Sequence, residues 1–171
     1  MENREFITYG IIVEEEKFNR IKNGSKKYIN KPDGGLWASP TDSEWGWKDW
    51  CEAEDFNVGT LTSWTKFILK GTAKLLVIDG LLDLMKCIDK YPLEIPEYRG
   101  IFSERRFIDF EAIERDGFDG VFLTELGNCQ CHLPMDEIFD IEKYQDLNAW
   151  DCESVILFNL DHVEIIEKVE G

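Results

Sequence analysis

The chain has 171 residues and a formal net charge of −16, from 35 acidic and 19 basic residues. A phosphate backbone is repelled by such a surface, so the charge argues against direct nucleic-acid binding through a basic face and favours a basic protein as any macromolecular partner. The same charge also promotes solubility, with or without a partner. The length fits a single domain over residues 1–171, and no apolar run approaches the roughly 20 residues that span a bilayer.

The cysteines indicate a reducing compartment. There are five of them, an odd number, and the first residues, Met-Glu-Asn-Arg-Glu, are polar with no apolar segment of a secretory signal behind them. We therefore expect reduced thiols and a cytoplasmic location. Cys129-Gln-Cys-His132 places one residue between its thiols, whereas structural zinc sites usually have two or more, so we predict no metal site.

The first third of the chain alternates predicted strands and helices. β-Branched and aromatic residues predict a strand over 6–13, and the spacing of Phe18 and Ile21 predicts a short helix over 14–23 that Gly24 ends. A basic loop over 25–35 precedes a short strand over 36–39, which Pro40 ends. The polar residues 41–44 resemble a helix start, with the helix itself over 45–51.

The remaining elements complete a mixed α+β pattern. Strands are predicted over 67–69 and 74–78, a helix over 80–90, a helix that Asp109 caps and Gly117 ends, and a strand over 118–124. Residues 129–148 have the least regular pattern, and 154–158 with 163–166 predict a closing hairpin. Because the order lacks regular strand–helix alternation and a Gly-x-Gly-x-x-Gly loop, a Rossmann dinucleotide site is not expected.

Three short motifs occur on or beside the predicted strands. They are Thr8-Tyr-Gly10, Gly35-Leu-Trp-Ala-Ser39 and Glu153-Ser-Val-Ile-Leu-Phe158. In their order and separation they resemble the ADP-ribosyltransferase superfamily, in its branch related to diphtheria toxin and poly(ADP-ribose) polymerases. The resemblance extends over nearly the whole chain and implies one α+β domain, with an ADP-ribosyltransferase-like split β-sheet core and flanking helices.

The resemblance also implies NAD as the substrate and assigns catalytic roles. Cleavage of the bond between nicotinamide and ribose develops positive charge on the sugar, which a nearby carboxylate stabilises. By resemblance that carboxylate is Glu153, with Tyr9 and Ser39 completing the catalytic set and Ser39 orienting the ribose. Asp151 is expected on the other face and is ranked below Glu153.

The cofactor-binding residues follow from the same resemblance. The backbone of Gly10, with no Cβ in the way, holds the nicotinamide amide. The other residues assigned to this group are Thr8, Trp37, Ala38 and Trp47. The loop lysines Lys22, Lys26, Lys27 and Lys31 border the cleft and meet the pyrophosphate, or else form an ordinary solvated loop.

Two departures from the family pattern leave alternatives open. Tyr9 stands where the family has a His, and Trp37 stands where it has a Tyr; both side chains are equally consistent with packing in a strand core. The altered triad is compatible with a mono-ADP-ribosyltransferase that modifies an intracellular macromolecule, such as a toxin, phage effector or defence factor. It is also compatible with an NAD glycohydrolase.

A second functional class is an inactive acidic protein that sequesters a basic partner or mimics a polyanion. A uniform acidic face without a cleft would favour this class. A concave pocket that joins Tyr9, Trp37, Ser39 and Glu153 would favour the enzyme.

Overall fold

The computed structural model describes residues 4–24, 31–93, 106–132, 144 and 147–171. Nine strands are present in this part of the chain: β1 Glu5–Tyr9, β2 Leu36–Pro40, β3 Trp64–Leu69, β4 Leu75–Ile78, β5 Pro92–Leu93, β6 Phe107–Ile108, β7 Gly120–Leu123, β8 Ser154–Leu157 and β9 Val163–Val169. The four α-helices there are α1 Trp47–Ala53, α2 Leu81–Lys90, α3 Phe110–Arg115 and α4 Glu125–Cys131. Short 3-10 helices cover Glu15–Lys17 and Val58–Thr62.

Seven strands form one mixed sheet in the order β4-β7-β8-β2-β1-β3-β9, while β5 and β6 form a separate pair. In the large sheet β4 and β7 run parallel, and the other neighbours run antiparallel. The α+β class predicted from the sequence is confirmed at this level, as a seven-stranded mixed sheet with four helices in the described residues.

The pairing between β1 and β2 covers fewer residues than any other strand pairing in the large sheet. Only Phe6↔Pro40 and Ile7↔Ser39 pair across it, whereas β1 pairs with β3 along its whole length. Beyond Ile7 and Ser39 the described parts of β1 and β2 no longer pair. A gap therefore opens in the sheet at this point, between Thr8 and Tyr9 on one side and the first residues of β2 on the other.

The central strand β8 separates two hydrophobic clusters. Its four residues are all buried, and Ile156 packs with the cluster under α2 and α3, whereas Val155 and Leu157 pack with the cluster that includes Phe6 and Phe67. This alternation is that of an extended strand with apolar groups on both faces. The two faces of the sheet thus carry separate cores.

Several predicted elements are confirmed with small changes of boundary. The α3 helix begins after Asp109, whose Oδ1 accepts a hydrogen bond from the Ala112 N–H at 2.8 Å, and Gly117 follows it with φ +85°. The longest α-helix in the described residues, α2, has ten residues, and no helix there is long and apolar enough to cross a bilayer.

The predicted helix over residues 14–23 is wrong. Only the 3-10 turn Glu15–Lys17 forms, and the chain is already extended at Phe18. Ile21 is buried in the core under α2, and Lys22 exchanges backbone hydrogen bonds with Asp33 at 2.9 Å in each direction. This tertiary pairing outweighs the weak helical spacing of two apolar residues.

The predicted closing hairpin is also wrong. β8 pairs with β2 and β7 in the middle of the sheet, whereas β9 pairs with β3 at its edge. The burial of the two strands explains the difference, because the continuous apolar run of β8 is covered on both faces and β9 is largely exposed. The sequence pattern also missed α4, which Thr124 caps by accepting the Gly127 N–H at 3.0 Å.

Candidate functional site

A cavity of about 240 Å³ lies at the gap between β1 and β2. The end of β1 contributes Thr8 and Tyr9, and β2 contributes Trp37 and Ala38. The first residue of α1, Trp47, forms a further part of the wall. The segment that leads into β8 adds Trp150, Asp151 and Cys152, and the loop before β2 adds Lys31.

Aromatic rings dominate the wall of the cavity. Trp37 meets Trp150 edge to face, with ring centroids 4.6 Å apart, and Trp47 stacks on Trp50 at 5.0 Å. Trp150 is only 1% exposed and anchors the wall to the core. Trp37 is partly exposed and packs on the same core, so core packing and cavity lining are combined in this one side chain.

The cavity also holds one acidic and one basic side chain. The Lys31 ammonium lies over the Trp37 ring at 4.6 Å and the Trp47 ring at 5.9 Å, and it donates a hydrogen bond to the Ala149 carbonyl at 3.2 Å. Burial raises the pKa of the Asp151 carboxyl, against the opposing influence of Lys31. The carboxylate therefore sits where water solvates it poorly.

Five residues that the resemblance assigned to the site line this cavity together. They are Thr8, Tyr9, Trp37, Ala38 and Trp47. They come from three elements that are separate in the sequence. Burial, and then the nearby carboxylates of Asp49 and Glu52, raises the pKa of the Tyr9 phenol. The phenol is therefore neutral at physiological pH and can donate a hydrogen bond.

Gly10 lies beside the cavity and is not part of its lining. Its φ of +73° belongs to the left-handed region, and a Cβ there would lie 3.1 Å from the Thr60 Cβ. Its N–H donates to the Ser63 carbonyl at 2.8 Å. The backbone donor that the resemblance assigned to the nicotinamide amide is thus engaged within the fold.

Ser39 lies behind the cavity wall and supports it. Its side chain is buried, and its Oγ accepts a hydrogen bond from the Trp47 N–H at 2.9 Å. The same Oγ is 3.6 Å from the Cys152 Sγ. Ser39 therefore fixes the beginning of α1, and with it one aromatic residue of the wall, from a strand that is distant in sequence.

Glu153 lies on the opposite face of the sheet from the cavity. It is 4% exposed, and its Oε1 accepts a hydrogen bond from Arg4 Nη1 at 3.0 Å. The Arg4 guanidinium also covers the Phe122 ring at 5.4 Å and bonds Asp42 at 2.9 Å. Phe122 belongs to the cluster of Val155, which is the core on the far side of β8. The structure does not bring this carboxylate to Tyr9 and Trp37. Of the four residues whose common pocket would favour the enzyme, only Tyr9 and Trp37 line the cavity.

Two of the four loop lysines, Lys22 and Lys31, belong to the described residues. Lys31 lines the cavity, Lys22 is exposed, and Lys26 and Lys27 lie outside the described residues.

Of the Cys-Gln-Cys-His segment, Cys131 is buried and Cys129 exposed, and His132 Nε2 donates to the Leu147 carbonyl at 2.8 Å. In the part of the chain that the structure describes, no group of three His, Cys, Asp or Glu side chains could hold a metal ion.

Residues 150–152 also line the cavity. From the sequence we did not assign Trp150 and Cys152 to the site, and we ranked Asp151 below Glu153. The available signal was their position directly before a fully apolar strand, where a loop enters the centre of a sheet.

No protein-family model, curated protein or solved structure matches the chain.

Proposed function

We propose that the protein cleaves the bond between nicotinamide and ribose of NAD and transfers ADP-ribose to water or to a macromolecular acceptor. The observation that carries the proposal is the convergence of Thr8, Tyr9, Trp37, Ala38 and Trp47 on one cavity. These residues come from β1, β2 and α1, and their common location supports a single ligand site built from the three segments.

The size of the cavity fits one end of the dinucleotide. Pockets that enclose a drug-sized ligand have about 300–1,000 Å³. A cavity of about 240 Å³ takes a single ring with its sugar, and the pyrophosphate and adenosine then lie outside it. Lys31, at the same wall, supplies a positive charge on the path of the phosphates.

The aromatic wall suits the nicotinamide ring of oxidised NAD. This ring is planar and carries a positive charge, which the faces of Trp37 and Trp47 attract. The Lys31 ammonium lies over both rings in the structure, so the nicotinamide stacks there only after Lys31 has moved aside. In the reaction the glycosidic C–N bond breaks and its electron pair returns to the ring nitrogen, which releases neutral nicotinamide. The ribose C1′ then bonds to an oxygen of water or of another nucleophile, which loses its proton.

Labelled NAD provides a direct test, with and without a cell extract as a source of acceptors. We expect the wild type to release nicotinamide. Trp47→Ala, which removes one stacking face, should weaken NAD binding by about 10-fold, in line with about 1–3 kcal/mol for aromatic–base stacking. Trp45→Ala is the matched control, since Trp45 is exposed and does not line the cavity.

The proposal is contradicted if the wild type releases no nicotinamide and NAD does not change its melting temperature. That result would leave the acidic binding protein as the function that accounts for the net charge.

A further inference from the structure

Two carboxylates, Asp151 and Glu153, lie two residues apart in the segment that leads into β8, and the fold gives them different surroundings. In a regular strand residues two apart face the same side, so strand alternation was the wrong reason to expect Asp151 on the other face. Here the chain bends at Cys152 and Glu153, and β8 begins only at Ser154. The bend turns one carboxylate towards the cavity and the other away from it.

The position of the bend is fixed by hydrogen bonds on both sides of Asp151. The Trp150 N–H donates to the Leu147 carbonyl at 2.7 Å, and the Trp150 carbonyl accepts from Asn128 Nδ2. Further on, the Glu153 N–H donates to the Trp45 carbonyl at 3.3 Å. These three hydrogen bonds hold the segment in place. They would have to break before Asp151 could turn away from the cavity and Glu153 towards it.

The Glu153 carboxylate is committed to a structural contact. Its partner is the Arg4 guanidinium, at 3.0 Å, and the Glu153 side chain is 5% exposed. To reach the cavity it would have to leave this ion pair and cross the plane of the sheet. Separating the pair would leave the Glu153 charge uncompensated in a buried position, which is destabilising.

The Asp151 carboxylate has the properties that the ribose site requires. It lines the cavity together with Trp37 and Trp150, so it lies beside any ring stacked there. It is partly buried, which strengthens its effect on a nearby positive charge. Lys31 is the basic group at the same wall and lies above Trp37 at 4.6 Å.

We infer that Asp151 is the carboxylate that faces the reacting ribose, and that Glu153 instead holds Arg4 and the far face of the sheet. This assignment rests on the proposed NAD cleavage. As the bond to nicotinamide breaks, positive charge moves from the ring to C1′ and the ring oxygen of the ribose. Asp151 stabilises that charge, while Lys31 turns from the cavity wall towards the phosphates.

The test compares four proteins in nicotinamide release from NAD. They are the wild type, Asp151→Asn, Glu153→Gln and the charge-matched control Asp161→Asn, whose side chain is exposed in a surface turn. NAD binding is followed in parallel by tryptophan fluorescence, and melting temperature is measured for each protein.

We expect Asp151→Asn to lower kcat by about 100-fold or more, the range found when one preorganised electrostatic group is removed. Its Kd for NAD should stay within about 3-fold of the wild type, since the aromatic wall that binds the ring is retained. Glu153→Gln should have a lower melting temperature than the wild type, because it loses the ion pair with Arg4. Its kcat should stay within about 3-fold of the wild type at temperatures where the variant is folded. Asp161→Asn should match the wild type.

The outcomes distinguish a wrong assignment of Asp151 to the ribose from a wrong proposal of NAD cleavage. Release that survives in Asp151→Asn, or that is lost in folded Glu153→Gln, overturns the assignment and leaves NAD cleavage standing. No release by the wild type overturns the proposed function, and the assignment with it. If Glu153→Gln does not fold, the double variant Arg4→Met, Glu153→Met replaces it, because two apolar groups leave no buried charge unpaired.

Discussion

At the scale of single residues, the two acids before β8 show where sequence reasoning reaches its limit. Glu153 was selected because it directly precedes an apolar strand, and that strand exists. The direction of the side chain depends on the bend at Cys152 and on an arginine 149 positions away, Arg4. Neither is visible in the local pattern. The aromatic residues Tyr9 and Trp37 were assigned to the site through the family resemblance, and both line the cavity.

The raised pKa of Asp151 leads to a stability prediction. A carboxyl whose folded-state pKa lies above its unfolded value destabilises the folded state at high pH, and the penalty disappears as pH falls through the folded pKa. Asp151→Asn should therefore melt above the wild type at about pH 7, and the difference should shrink towards about pH 3, where the wild-type carboxyl is protonated in both states.

Thermal denaturation across this pH range checks the prediction. The charged groups that act on Asp151 are Lys31 and His132, which favour its ionised form, and Glu54, which opposes it. Asp161→Asn serves again as the control for a change of net charge. A variant that melts below the wild type at neutral pH would show that Asp151 stabilises the fold through its charge.

At the scale of elements, α1 depends on a residue outside itself. Its N-cap position is Gly46, which has no side chain to accept the orphan N–H groups of the first turn. Ser39 supplies that acceptor from β2, and the Asp49 carboxylate accepts the Gly46 N–H at 3.0 Å. The sequence predicted a helix here but placed its start at residues 41–44, because a cap from another element leaves no local signal.

We expect Ser39→Ala to destabilise the protein by about 1 kcal/mol, which is typical for the loss of a helix cap. In a domain of this size that lowers the melting temperature by about 2–4 °C. It should also weaken NAD binding, since Trp47 is no longer held at the wall. Thr41→Ala is the matched control: the sequence pattern made Thr41 a candidate cap, but its Oγ1 donates to the Glu5 carbonyl, at 3.4 Å. Equal effects of the two changes would contradict the role given to Ser39.

At the scale of the whole molecule, the α+β class could be predicted but the order of strands could not. Strands adjacent in sequence, β8 and β9, are separated in the sheet by β2, β1 and β3. Local patterns report which residues are apolar, and they carry no information about pairing between distant segments. The hairpin prediction failed for this reason, and no local pattern indicates that β1 and β2 pair at only two positions.

The net charge of −16 affects the folded state as a whole. Like charges on a compact surface repel, and dissolved salt screens that repulsion over about 8–10 Å at 0.10–0.15 M. Raising NaCl from about 20 mM to about 300 mM should therefore raise the melting temperature of the wild type. A fall would mean that the ion pairs, such as that of Arg4 with Glu153 and Asp42, outweigh the repulsion.

The gap between β1 and β2 gives the sheet two internal strand edges. Past Ile7 and Ser39 the described parts of these two edges do not pair with each other, and the cavity lies between them. Strand edges carry hydrogen-bonding groups of the main chain, which do not depend on the side chains. Substitutions at positions 37 and 47 therefore change the rings of the wall and leave the main chain of the two edges the same.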